Sequence, residues 1–284
     1  MPRLLRALIG LLVAGSAGGA LGASPDGGTE SNLALGVGSR GIGLGGACLA
    51  RVGDASAVYW NPASLTDLQR GDVLVMHAPI GFGDAALSFL GIAYPTTSRG
   101  SFGLGFVRLG TGGITAYDAD SNPLGEIGFS ESSFYLAYAL RPQLPGCGRA
   151  LAFGLTARTL TQSLDPWSST SGGVDFGVEC TPARLPQLGL AAVLRDAVAP
   201  RPQLDEEADT IPSTLLLSGS YRLGVGRDVA LELHAGVDRV ASLGWSPRLG
   251  LEATYRGRLH VRCGASRSGA ALGTGCVVAY RAVK

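Results

Sequence analysis

From Gly71 onward, apolar and polar residues alternate one by one. Val229, Leu231, Leu233, Ala235 and Val237 share one face of an extended segment, and Asp228, Glu232, His234 and Asp238 share the other. Leu249, Leu251, Ala253 and Tyr255 oppose Arg248, Glu252, Thr254 and Arg256, and Leu259, Val261 and Cys263 oppose Arg258, His260 and Arg262. Earlier, Leu151, Phe153, Leu155 and Ala157 oppose Thr156 and Arg158, while Val174, Phe176, Val178 and Cys180 oppose Asp175 and Glu179. This period of two predicts strands, not amphipathic helices. About twelve such segments follow Gly71, each close to the ~10 residues of a tilted membrane-crossing strand, and weaker candidates at 44–51 and 113–117 raise the expected total to about fourteen.

Alternation alone fits a soluble sandwich as well as a barrel. Three features favour a barrel in lipid: an export signal, strand–turn–strand units running to the C-terminus, and apolar faces set against clusters of charge. In hydrocarbon every backbone donor and acceptor must be paired, and strands achieve that only in a closed barrel. The short connections at 142–146, 182–186 and 256–257 are expected on the periplasmic side, and the longer ones at 118–126, 162–172 and 199–212 on the outer side. The acidic Asp205, Glu206 and Glu207 fall in the last of these and read as a solvated loop.

The first residues resemble a secretory signal: Arg3 and Arg6, an apolar run from Leu8 to Ala14, then small residues and a cleavage site after Gly22. No other stretch offers the ~18 consecutive apolar residues of a spanning helix. Charged residues are 16% of the chain, Gly is present 44 times and the formal net charge is +1. That balance excludes an electrostatic nucleic-acid binder. The five cysteines show no CxxC or metal-ligand spacing. Cys263 and Cys276 flank Gly269-Ala270 symmetrically, so they either face one another across a hairpin or serve as small apolar residues.

Between Gly38 and Leu65 the chain is neither a clean helix nor a clean strand, which predicts a compact element set against or inside the β-structure. Gly36, Gly38 and Gly41 match GxGxxG, but no strand precedes them and no amphipathic helix follows, so small residues for close packing explain them better than a dinucleotide site. Asp54 is placed to cap a short helical turn that Pro62 stops.

Gly38 to Ala47, with Gly41, Gly43, Gly45 and Gly46, then Asp54-Ala55-Ser56-Ala57, then Tyr59-Trp60-Asn61-Pro62-Ala63, resemble the N-terminal signature of the FadL-like outer-membrane superfamily, nearest its PorV/PorQ-type branch. The likeness continues through Gly173 to Val178, Leu188-Gly189-Leu190, Ile211 to Leu215 and Leu249 to Glu252. It implies an all-β transmembrane antiparallel barrel over residues 71–284, an N-terminal hatch over 23–70 and a signal peptide over 1–22. The chain departs from many such barrels in ending Tyr280-Arg281-Ala282-Val283-Lys284 without a terminal aromatic, and in having only 7% aromatic residues for interfacial girdles.

Catalysis has little support. The histidines are His77, His234 and His260, and no HExxH, G-x-S-x-G or P-loop is present. No cofactor and no metal is expected. Glu232, His234, Arg248, Glu252, Arg256, His260 and Arg262 are expected to form a structural charge network facing the lumen. The resemblance implies passive transport of hydrophobic small molecules across the outer membrane, with the glycine-rich hatch as gate. Phe82, Phe89, Phe102 and Phe106 are the candidates to line a solute pocket. The alternatives are a PorV-type carrier for secreted proteins, exposing Leu124, Trp167 and Leu204 on its outer loops, and a soluble exported β-sandwich with an adhesion role. Expected partners are outer-membrane lipid with a hydrophobic small molecule or a secreted protein, and no nucleic acid.

Overall fold

The computed structural model describes residues 35–80, 85–96, 100–118, 120–144, 150–164, 166–203, 211–240, 244–266 and 269–276. The expected signal peptide, Phe82, Leu204, the Asp205–Glu207 run and the final residues lie outside them. Among the described residues the strands are β1 (Asp72–Ile80), β2 (Ala85–Pro95), β3 (Ser101–Tyr117), β4 (Pro123–Leu140), β5 (Leu151–Leu164) and β6 (Trp167–Cys180). They continue with β7 (Leu188–Val198), β8 (Thr214–Val225), β9 (Val229–Val240), β10 (Gly244–Tyr255), β11 (Leu259–Ser266) and β12 (Gly269–Cys276). All twelve form one sheet in sequence order, each strand antiparallel to the next. One continuous sheet replaces the two packed sheets that a sandwich requires.

Two expected strands do not exist as such. Residues 44–51 contain a 3-10 turn, Ala47–Ala50, and 113–117 are the end of β3. Within the loop expected at 162–172, residues 162–164 and 167–172 are also strand: β5 and β6 stay paired from Leu151↔Cys180 to Leu164↔Trp167. Its Ser and Thr residues suggested a loop because neither face is apolar there. They instead continue the ladder, with the Thr161 and Thr170 hydroxyls hydrogen-bonded at 2.9 Å. In the same way 123–126, the second part of the loop expected at 118–126, belong to β4, since Tyr117 pairs with Pro123.

The sheet's alternation is inverted relative to a water-soluble core. On one face Val75, Leu104, Phe134, Leu136, Phe176 and Leu249 are exposed, with Val75 reaching 75%. On the other face Glu131, Thr156, Asp175, Glu179, His234 and Glu252 are buried, with Glu131 and Glu179 at 0%. No helix among the described residues is long and apolar enough to cross a membrane.

What covers the polar face is the N-terminal segment: α1 (Ser39–Gly43), the turn Ala47–Ala50, α2 (Ala57–Trp60) and a 3-10 helix Pro62–Asp67. The 3-10 helix contacts β2 to β6, the Ala47–Ala50 turn contacts β7 to β10, and α1 contacts β11 and β12. At the sheet's other edge, the Gly38 amide donates to Met76 Sδ of β1 at 3.3 Å. The same segment therefore touches both ends of the sheet. Among the described residues its side chains supply half of the apolar core, including Val37, Leu44, Leu49, Val58, Trp60 and Leu65.

Candidate functional site

The N-terminal segment is held by local capping and by gaps in the wall. Asp54 Oδ1 accepts from the Ser56 amide at 2.9 Å and from its hydroxyl at 2.5 Å, folding the chain into the turn that precedes α2. Burial pushes the Asp54 carboxyl up, and those two bonds pull against it. Asn61, with Pro62 after it, ends α2 and starts the 3-10 helix: its Oδ1 accepts from the Ala63 amide at 3.1 Å and its Nδ2 donates to the Leu49 carbonyl at 2.8 Å. Beneath Asn61-Pro62-Ala63 lie Gly154 and Gly177, register partners on β5 and β6, where any β-carbon would occupy the same space. Leu44 and Gly45 rest in the same manner on Gly250 and Gly264, register partners on β10 and β11.

The glycines of the signature serve this packing. Gly41 lies against the Trp60 indole, whose Nε1 donates to the Val37 carbonyl at 2.8 Å. Gly43 is buried in α1, Gly45 abuts the Ala265 backbone, and Gly46 (φ 76°) leaves room for Arg248. The GxGxxG spacing is thus a packing pattern around Trp60.

The expected charge network forms in part. Arg40 of α1 reaches Glu252 at 2.9 Å and Glu232 at 3.5 Å, and also donates to the carbonyls of Arg51 and Val52. Arg262 meets Glu252 at 2.7 Å, and His260 approaches the same carboxylate at 3.3 Å. Two expected members fall elsewhere. Arg248 pairs with Asp238, and Arg256 pairs with Asp228 at 3.1 Å on an exposed turn. Arg256 fails because it lies one residue past β10, where alternation no longer fixes its direction. Arg40 and Arg51 belong to the network and were not expected, because the partners come from the N-terminal segment and not from a neighbouring strand.

Glu232, His234 and Glu252 offer ligand atoms within 4.8 Å of one another, a spacing that suits a metal ion. Arg40 and Arg262 already neutralise these carboxylates, so a dication would enter among cations. The donor set fits a salt-bridge network better than a metal.

A second cluster ties down the far end of the segment. Ser64 Oγ donates to Glu179 at 2.5 Å, and Arg141 bridges Glu179 at 3.2 Å, Asp67 at 2.6 Å and the Thr66 hydroxyl at 3.0 Å. Burial pushes the Cys48 thiol up to about 12, which leaves it protonated and inert. Cys263 is also a free thiol, and it pairs in register with Leu272 while Cys276 pairs with Leu259, so the two do not face one another.

The phenylalanines expected to line one pocket do not converge. Phe89 is buried on the inner face. Phe102 and Phe106 are on the opposite face, where Phe106 packs on Phe134 with ring centroids 4.6 Å apart and Phe102 on Tyr138 at 5.1 Å. The cavity instead lies against α2. It has a volume of about 50 Å³, with Tyr59, Trp60, Tyr135, Ile211 and Leu216 as its less polar lining. Its polar lining is Arg158, Arg195, Arg248, Asp175, Asp196 and Asp238. Arg158 pairs with Asp196, the Asp196 amide donates to Asp175 at 2.7 Å, and the Arg195 guanidinium sits 4.9 Å over the Tyr59 ring. Sequence reasoning placed Arg158 and Asp175 on polar strand faces but had no register with which to group them.

A search of solved structures finds a match to the fold. The chain shares the fold of a bacterial transporter. The structure is the P. putida toluene transporter TodX, with 11% sequence identity, a TM-score of 0.50, and coverage of 81% of this chain and 83% of that one. A Pseudomonas aeruginosa FadL homologue also matches, at 12% identity and a TM-score of 0.36, over 84% of this chain and 94% of that one. No family model and no curated protein matches the sequence.

Proposed function

We propose that the chain is an outer-membrane β-barrel whose sheet closes around the N-terminal segment, and that it admits hydrophobic small molecules passively with that segment as a hatch. The observation that carries this reading is the inverted alternation. Leu136, Phe153, Phe176 and Leu249 are exposed around the sheet while Glu131, Glu179 and Glu252 are buried within it. In water such an apolar belt would be costly, whereas in hydrocarbon it is the favourable surface. The hydrogen bond of Gly38, the residue before α1, to Met76 of β1 and the contacts of α1 with β12 support closure, and the fold shared with a toluene transporter supports hydrophobic solutes. In this reading the chain lies nearest the PorV/PorQ-type branch, on the resemblance of its N-terminal signature, and residues 1–22 serve as its export signal. In this reading the chain performs no catalysis.

Uptake of a hydrophobic fluorophore by Gram-negative cells expressing the protein tests the proposal. Faster uptake than in cells with an empty vector is expected, and slower uptake when Ala47→Cys and Ser218→Cys, whose parent residues are in hydrogen-bond contact, are oxidised to tie the segment to β8. Equal uptake with and without the protein would overturn it.

A second reading, as a carrier for secreted proteins, draws on Tyr117 and Trp167. Both are 61% exposed at the ends of the long β3–β4 and β5–β6 hairpins. Co-purification of a secreted protein that is lost in Trp167→Ser would favour it.

A further inference from the structure

The cavity beside α2 is not the dry apolar pocket that a hydrocarbon would need. Its charged groups are mostly taken up by one another, Arg158 with Asp196 and Arg248 with Asp238. Three atoms are left over: Arg158 Nε, a donor, Asp238 Oδ1, an acceptor, and the Tyr135 hydroxyl, which can act as either, are buried without a hydrogen-bond partner. Arg158, Asp238 and Tyr135 are only 6%, 5% and 3% exposed. A buried polar atom without a partner is costly, more so when charged, so a guest that supplies the missing bonds is favoured there.

Four features narrow the guest. Arg158, Arg195 and Arg248 are balanced by Asp175, Asp196 and Asp238, so neither an anionic nor a cationic group finds an unmatched counter-charge. Arg158 Nε asks for an acceptor and Asp238 Oδ1 for a donor, and the Tyr135 hydroxyl takes either; a hydroxyl group, which both donates and accepts, suits this set. Tyr59, Trp60 and Leu216 offer apolar surface beside them. A cavity of about 50 Å³ takes only the head of a molecule and its first carbons.

We propose that this cavity binds the hydroxyl end of a small alcohol or phenol, so that the protein selects neutral amphipathic molecules over bare hydrocarbons and over carboxylates. The inference rests on the transport reading and names the class of solute within it.

Fluorine NMR on the full-length protein in lipid nanodiscs tests the inference, with 4-fluorobenzyl alcohol, 4-fluorotoluene and 4-fluorobenzoate as matched probes and empty nanodiscs as the blank. The alcohol should bind about tenfold more tightly than either other probe, because the site's buried polar atoms go unpaired without its hydroxyl. Arg158→Lys keeps the positive charge toward Asp196 but removes Nε, and should erase that preference. Ile211→Trp, which fills the cavity without touching the polar atoms, should abolish binding of all three. Equal affinity for alcohol and toluene, tighter binding of the benzoate, or a preference unchanged in both variants would overturn the inference and mark the cavity as merely hydrated. Cellular fluorophore uptake is read separately: uptake without an alcohol preference sinks this inference alone, and no uptake sinks the transport reading.

Discussion

The side-chain amide of Asn61 lies directly over the backbone of Gly177, in space that a β-carbon would fill. Together with Gly154 across the β5–β6 ladder, Gly177 forms a slot that only glycine leaves open. Replacing it with valine should push the Asn61-Pro62-Ala63 turn off the wall, at the ~1–3 kcal/mol or more typical of overpacking. Limited proteolysis of Gly177→Val should cut within 39–67 while the strands stay protected. A cleavage pattern identical to that of the parent would show that the slot does not hold the segment.

Asn61 itself satisfies the Leu49 carbonyl and the Ala63 amide inside the protein. Asn61→Ala should cost about 1–3 kcal/mol for each buried group left unpaired. A lower midpoint in a denaturant titration followed by tryptophan fluorescence would report this. Asn61→Asp keeps the Ala63 bond but sets a buried carboxylate against the Leu49 carbonyl, and should cost at least as much as the alanine.

Arg40 joins the segment to the strands through Glu252 and Glu232, with all three side chains largely buried. Arg40→Met should destabilise the protein by about 3–5 kcal/mol, because it strands buried carboxylates. Adding Glu252→Gln should recover part of the loss. A double-mutant cycle measures the coupling, and strictly additive effects would mean the two residues do not interact.

The contrast between what the sequence disclosed and what it concealed follows from register. The faces of β9 could be assigned because period two needs no partner strand, and Glu232, His234 and Asp238 are buried together as alternation predicts. Alternation does not say which face a lone aromatic should serve. Phe102 shares parity with the exposed Leu104, and choosing it as a pocket residue ignored that parity. Arg256 misled for the opposite reason, since it continues the pattern by one residue into a turn. The Gly154–Gly177 and Gly250–Gly264 slots were hidden because each depends on two residues that are adjacent only once the ladders are aligned.

Cys48 is fully buried, with its thiol pushed up to about 12 by burial. At pH 8 the thiol stays protonated, so a permeant maleimide should leave Cys48 unmodified over hours in the folded protein and label it promptly after denaturation. Mass spectrometry of the labelled peptides reads the result. Rapid labelling in the folded state would show that the Ala47–Ala50 turn leaves the wall readily.

The central claim is that the apolar face of the sheet lies in hydrocarbon. Spin labels placed singly at Leu136, Phe153 and Leu249, in protein reconstituted into lipid bilayers, test it most directly by comparing relaxation from oxygen with relaxation from a water-soluble nickel chelate. The account predicts strong oxygen and weak nickel effects at all three positions. Strong nickel relaxation there would place that face in water and contradict the barrel.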